Sequence, residues 1–390
     1  MATASGDSAR IHYLDNLRAI AMLLGVYLHG ALAYAEPSRS VWIATNPAGS
    51  AAIDASIWWI HLFRMSLFFL LSGYFSKLII QRKGLRPFLW NRGVRIGLPF
   101  ILFWPFLMVA MAIVFAFAFS YIKEPLGLMG VIVAASQNPE TANSSTPYTT
   151  MHLWFLYYLL MFSLIAAVAS RWTWLKFDWL FQRKRLLALT PLALVPGVMG
   201  GGLPVAAPES FVPTWWPFLY YGLFYWAGWQ LFGRELLLDH MQPWCWMLVL
   251  ASTILFGFHY CLLPVLDIAS VRQATESGGT LRLTPSLVES VLASYLSALL
   301  TVSALLLGQR FLARSNGCLK FSADSSYWVY LIHLPIILFL QTLLIPVALP
   351  ALVKLVLVTL VTWLFCIATY VVFVRYTPIG WMLHGKRSFP

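Results

Sequence analysis

Apolar residues run along this chain in unbroken blocks, without the one-faced periodicity of a water-soluble domain. Ten blocks stand out, at about 14–35, 52–80, 95–121, 150–170, 186–203, 214–233, 243–264, 286–308, 326–346 and 351–375. A helix of about 20 residues crosses the roughly 30 Å hydrocarbon core of a bilayer. The pattern therefore predicts an all-α polytopic membrane protein of about ten transmembrane helices. The fifth block is the weakest, short and broken by Pro191 and Pro196, and the second is long and carries His61 and Arg64.

Composition agrees with this class. The 390 residues are 60% hydrophobic and 10% charged, against about 25% charged in soluble domains. The net charge of +12 does not indicate nucleic acid, because no basic segment forms a domain of its own. It follows the loops instead. With the N-terminus in the cytoplasm, 20 Lys and Arg fall on the inner side and 5 on the outer. That asymmetry is the positive-inside pattern, so both termini are expected in the cytoplasm and the basic loops against anionic membrane lipid. Residues 1–390 read as a single transmembrane domain with no separate soluble domain. The longest outer connections are at about 122–149 and 265–285. Residues 10–35 resemble a signal peptide ending in Ala33-Tyr34-Ala35, but Asp15 and His29 interrupt that pattern, and the segment is read as a retained first span. The four cysteines are scattered, and no His/Cys set has metal-ligand spacing, so no metal is expected.

Ionisable residues inside the blocks are costly in lipid and mark candidate sites. The first block, Leu14 to His29, carries three polar groups. Asp15 and Arg18 are an i, i+3 pair. His29 follows Arg18 by 11 residues, which returns it to nearly the same face, about 16 Å further along. Arg64 lies roughly 18 Å deep in the second block. A guanidinium there needs an acceptor, an anion or water, and a structural bridge to the first helix serves equally well. Arg92 and Arg95, three apart at the start of the third block, suit phosphates, or lipid headgroups. For a lone His such as His61 or His259, helix packing is as good an account as function. Glu289 and Asp54 sit near helix ends and read as structural. An imidazole near mid-depth in the first block suits proton transfer, since its pKa lies nearest neutrality.

Four segments together resemble the acyltransferase family 3 membrane proteins. Arg18 followed by His29 matches their Arg-x10-His signature. Phe68-Phe69-Leu70-Leu71-Ser72-Gly73-Tyr74 resembles their F-F-x-x-S-G motif, and Arg92-Gly93-Val94-Arg95 through Pro99 the basic segment after it. Ser326-Tyr327-Trp328-Val329-Tyr330-Leu331-Ile332-His333 resembles the late motif. His61-Leu62-Phe63-Arg64 and His152-Leu153-Trp154 are similar to the branch that places succinyl groups on osmoregulated periplasmic glucans. Other members carry a Glu shortly after the Trp of the fourth span. Phe155-Leu156-Tyr157-Tyr158 has none, so no such role carries over.

The resemblance implies an O-acyltransferase of the bacterial inner membrane. Its co-substrate would be an acyl-CoA from the cytoplasm, succinyl-CoA above all, with no permanently bound cofactor. Its acceptor would be hydroxyls of a periplasmic glucan. Acetyl donors and other envelope saccharides stay open, as does a homo-oligomer. By the same resemblance His29 handles the proton or the acyl group. Asp15 and Arg18 organise its helix and the entrance, and Arg92 and Arg95 hold CoA phosphates. Arg64 meets the donor carbonyl or a succinyl carboxylate, while Ser72, His152, Trp154, Tyr330 and His333 complete the substrate cavity. The rival class is a transporter or flippase of an anionic or saccharide substrate, but the internal repeat common in transporters is absent.

Overall fold

The computed structural model describes residues 3–36, 42–124, 126, 129, 149–171, 184–203, 207–263, 285–314 and 317–384. Helix α1 spans Thr3–Ala31 and α2 Ala51–Lys83. Helix α3, Leu85–Arg92, runs through a π-helical turn at Gly93–Gly97 into α4, Leu98–Tyr121. A 3-10 turn at Met151–Leu153 opens α5, Trp154–Ala169. Two short pieces follow, α6 (Lys184–Leu189) and α7 (Val195–Gly201), joined by a 3-10 turn at Thr190–Leu194. Then come α8 (Trp216–Leu231), α9 (Leu236–Met241), α10 (Cys245–Leu262), α11 (Leu287–Phe311), α12 (Gly317–Leu344), α13 (Ala351–Thr369) and α14 (Pro378–His384). Among the described residues the only bridge-like pairing is Thr149 with Ser210.

Among the described residues, eight helical stretches are long and apolar enough to cross a membrane. The protein is a multi-pass, all-α membrane protein. The expected fifth and sixth blocks fall short of that length. Leu186–Gly201 is broken where Pro191 and Pro196 remove backbone donors. Helix α8 has 16 residues, about 24 Å. The expected count of ten therefore becomes eight full-length spans and two short segments. His61 and Arg64 do not interrupt α2, which is one continuous helix. Most of the expected connections at 122–149 and 265–285, including Gln137–Tyr148, lies outside the described residues.

Burial sorts the helices. The apolar windows of α1, α2, α5, α11 and α12 are mostly buried, while those of α4, α10 and α13 are mostly exposed. An apolar helix with exposed sides is suited to lipid, so the first group forms the centre and the second the rim. Gly73 explains one close contact at the centre. A Cβ there would collide with the Tyr225 carbonyl on α8, and a Cβ at Gly228 with the Leu70 carbonyl on α2. The α2 and α8 backbones thus meet directly, as small residues allow between membrane helices. The glycine of the second motif serves this packing. Glu289 closes a capping box with Ser286 at the start of α11, as its structural reading expects.

Candidate active site

Two cavities lie end to end between α1, α2, α5 and α12. The first, about 600 Å³, lies at the Arg18 end of the pair and is the basic one. Asp15, Arg18, Ser72, Arg92, Arg95, Lys320 and Tyr327 line it. Arg18 pairs with Asp15 at 3.2 Å and lies over the Phe75 ring. Arg92 donates to Ser76 Oγ at 3.0 Å and covers Phe88. The π turn that follows Arg92 carries Arg95, which donates to the His384 carbonyl at 3.0 Å. Tyr327 donates to the Arg95 carbonyl at 2.7 Å, so α12 fixes this turn. Four cations thus line one polar cavity, and only Arg18 is paired with a carboxylate among the described residues. Such a wall suits a polyanion.

The second cavity, about 640 Å³, lies further along α1, towards Ala31. His29, Arg64, His152, Trp154, Tyr330 and His333 all line it. Five residues from four helices or turns, expected at the site on sequence grounds, therefore meet His29 here. Their hydrogen bonds have a direction. His333 Nδ1 lies 2.7 Å from the Tyr330 carbonyl and 3.1 Å from that of Val329. Carbonyls only accept, so Nδ1 carries the proton and, in the neutral ring, Nε2 accepts. His29 Nδ1, 2.8 Å from that Nε2, is then the donor. Among the described residues nothing uses the His29 Nε2 lone pair, the state a general base requires. The two ring centroids lie 5.0 Å apart with their planes 12° from parallel, the edge-to-edge arrangement of this hydrogen bond.

The surroundings hold this pair in place. His152 points Nε2 at the Leu331 carbonyl, 3.3 Å away, and its own carbonyl accepts from Tyr330 Oη at 2.6 Å. Met151, just before it, has φ 50°, a left-handed conformation that costs about 1–2 kcal/mol in a non-glycine residue. That strained turn starts α5 and delivers His152 to the cavity. Arg64 lies against α1 at Gly25, where a Cβ would collide with its Nη1. Its Nε is buried without a hydrogen-bond partner, and among the described residues no carboxylate pairs with it. The expected bridge from Arg64 to α1 is thus a steric fit against a glycine. A free guanidinium on a cavity wall is a receptor for an anion or a developing negative charge.

Four contributors were not evident from sequence. Gln341 bonds the His29 and Gly30 carbonyls through Nε2 and accepts from Trp42 Nε1 at 2.8 Å, and Trp42 stacks on His29. Glu209 reaches the cavity wall from the 207–212 segment, where Thr149 donates to its carboxylate. Desolvation there raises the Glu209 pKa, against the lowering effect of that hydrogen bond. Gly25 is the fourth. A Gln inside an apolar block, at Gln341, was the one available sequence signal. His61 lies outside both cavity walls, and His259 is fully buried against Trp58.

A family profile described as an acyltransferase domain, acyltransferase 3, matches residues 11–373. The chain belongs to the acyltransferase 3 family. Among curated relatives, the glucans biosynthesis protein C of Salmonella schwarzengrund, of Salmonella typhi and of Salmonella typhimurium are each 28% identical to it over 203 residues. That match covers 50% of this chain and 48% of each relative. The chain thus spans about half the length of the curated relatives it matches. No solved structure matches.

In this acyltransferase 3 chain the motif segments divide between the cavities. Arg18, Ser72, Arg92, Arg95, Ser326 and Tyr327 line the first. His29, Arg64, His152, Trp154, Tyr330 and His333 line the second. Arg18 and His29 share a helix and face different chambers. Among the described residues no cluster of His, Cys, Asp or Glu could hold a metal ion.

Proposed function

We propose that this protein transfers an acyl group from acyl-CoA in the cytoplasm to a hydroxyl of a saccharide outside the membrane. Succinyl-CoA is the proposed donor, and a periplasmic glucan, reached from the bacterial inner membrane, the proposed acceptor. The His29–His333 hydrogen-bonded pair beside a free Arg64 carries this reading. The excess of Lys and Arg in the loops supports a cytoplasmic position for the basic end. The names of the glucan-biosynthesis relatives support the acceptor class.

In this reading the CoA phosphates bind Arg92, Arg95 and Lys320, and the thioester reaches His29. The acceptor hydroxyl enters the second cavity and gives its proton to His29 Nε2 as its oxygen attacks the thioester carbon. His333 accepts the hydrogen bond from His29 Nδ1 and favours the imidazolium that forms. Arg64 stabilises the oxyanion, or the succinyl carboxylate when that is the acyl group. The C–S bond then breaks, and the proton on His29 passes to the departing thiolate. The products are an ester and CoA.

Incubating the purified protein with succinyl-CoA labelled in the acyl chain and a soluble glucan tests this directly. The expected result is covalently labelled glucan and one free CoA per ester. Glucan that crosses a membrane unmodified, with no CoA released, would support the transporter class instead.

A further inference from the structure

Among the described residues, three side chains line both cavities: Met22 on α1, Phe68 on α2 and Phe155 on α5. On each helix the order is the same. Along α1, Arg18 lines the basic cavity, Met22 both, and Gly25 and His29 the opposite one. Along α2, Ser72 lines the first, Phe68 both, and Arg64 the second. Along α5 and the turn that opens it, Leu159 lines the first, Phe155 both, and His152 the second. The three residues therefore sit at one level, where the two chambers adjoin. The Phe68 and Phe155 rings lie 5.3 Å apart, and each residue is 4% exposed.

The fourth wall is α12, and it differs. Tyr327 and Tyr330 flank this level, and both hydroxyls are tied to backbone carbonyls, of Arg95 and His152. Met22, Phe68 and Phe155 have no polar atom to anchor them. Methionine in particular repacks at little cost. One side of the passage is thus pinned and the other can yield.

We propose that Met22, Phe68 and Phe155 form an apolar collar that determines which acyl groups reach His29. This inference rests on the acyl-CoA reading above. His29 lies seven residues, about 10 Å, beyond Met22. A thioester bound through its phosphates in the basic cavity must therefore cross the collar to meet it. Slim, unbranched acyl chains slide between two rings and a thioether. Branched or aromatic ones require those rings to separate. A terminal carboxylate crosses at a desolvation cost, and Arg64, one turn beyond Phe68 on α2, receives it. The collar and Arg64 together would favour a short linear acyl group with an anionic end.

The test measures transfer by the purified protein from benzoyl-CoA and from succinyl-CoA to one saccharide acceptor. Wild type is compared with Phe155→Ala, Phe155→Leu and Met22→Ala. The collar predicts that the benzoyl-to-succinyl ratio rises by about 10- to 100-fold in Phe155→Ala, the range that removal of pocket atoms typically gives. It predicts a smaller rise in the other two. An unchanged ratio would overturn the collar, and so would loss of all transfer in all three variants while they remain folded in detergent. Absence of transfer from any acyl-CoA by wild type would instead sink the function proposed above.

Discussion

The two cavities are nearly equal in size and share three residues, yet they are built for different tasks. In the basic cavity three of the four cations are held by neighbours: Arg18 by Asp15, Arg92 by Ser76 (its Nε stays buried without a partner) and Arg95 by the His384 carbonyl. Such groups offer charge from a fixed frame, which suits holding a flexible polyanion. In the opposite cavity Arg64 has no carboxylate partner among the described residues, and the imidazoles form a directed chain with one nitrogen left over. Pre-oriented groups with spare capacity suit charge that develops during a reaction. The comparison teaches that, in the proposed reaction, binding and chemistry are separated along one helix, with α1 contributing Arg18 to one chamber and His29 to the other.

Substitutions can break this division, and their effects should fall in order. His29→Ala should lower acyl transfer by about 10²- to 10⁴-fold, the usual range for a general base, with donor binding intact. Near-normal turnover would remove the base assignment. His333→Ala should cost about 10²-fold in kcat, because His29 loses the acceptor that fixes its tautomer. His333→Gln, whose amide oxygen can accept the same hydrogen bond, should recover part of that loss. A structural role alone would not distinguish the two variants.

Smaller effects belong to the anion-binding groups. Gly25→Ala drives its new methyl into Arg64 Nη1 and should reduce succinyl transfer about tenfold while acetyl transfer falls less. Equal losses for both donors would argue that Arg64 reads no carboxylate. Replacing Arg92 and Arg95 together by Gln should raise the donor KM about tenfold and leave the acceptor KM nearly unchanged. If both constants rise alike, the basic cavity is a lipid-contact or folding element.

Much of the membrane architecture was legible because apolar length is a strong signal. The two short segments were not. Prolines at 191 and 196 marked the first as weak, but nothing local in Trp216–Leu231 reveals that its partner is the α2 backbone at Gly73. The candidate site was legible where a polar residue interrupts an apolar block, as at His29, Arg64, His152 and His333. It was illegible where the contribution is apolar or comes from between the blocks. Met22 and Phe155 look like ordinary core, Phe68 enters the sequence reading only as part of a motif with no role of its own, and Glu209 lies in a connection. The direction of the His29–His333 hydrogen bond also required geometry, because it depends on carbonyls at Val329 and Tyr330 that every sequence has.

Transfer across the membrane is the central claim, and sidedness tests it most directly. The protein is reconstituted in sealed vesicles with its basic end facing inward, succinyl-CoA is enclosed, and the glucan is supplied only outside. The account predicts succinylated glucan in the outer medium and free CoA retained inside the vesicle. Esterified glucan that forms only when donor and acceptor share one side would contradict it.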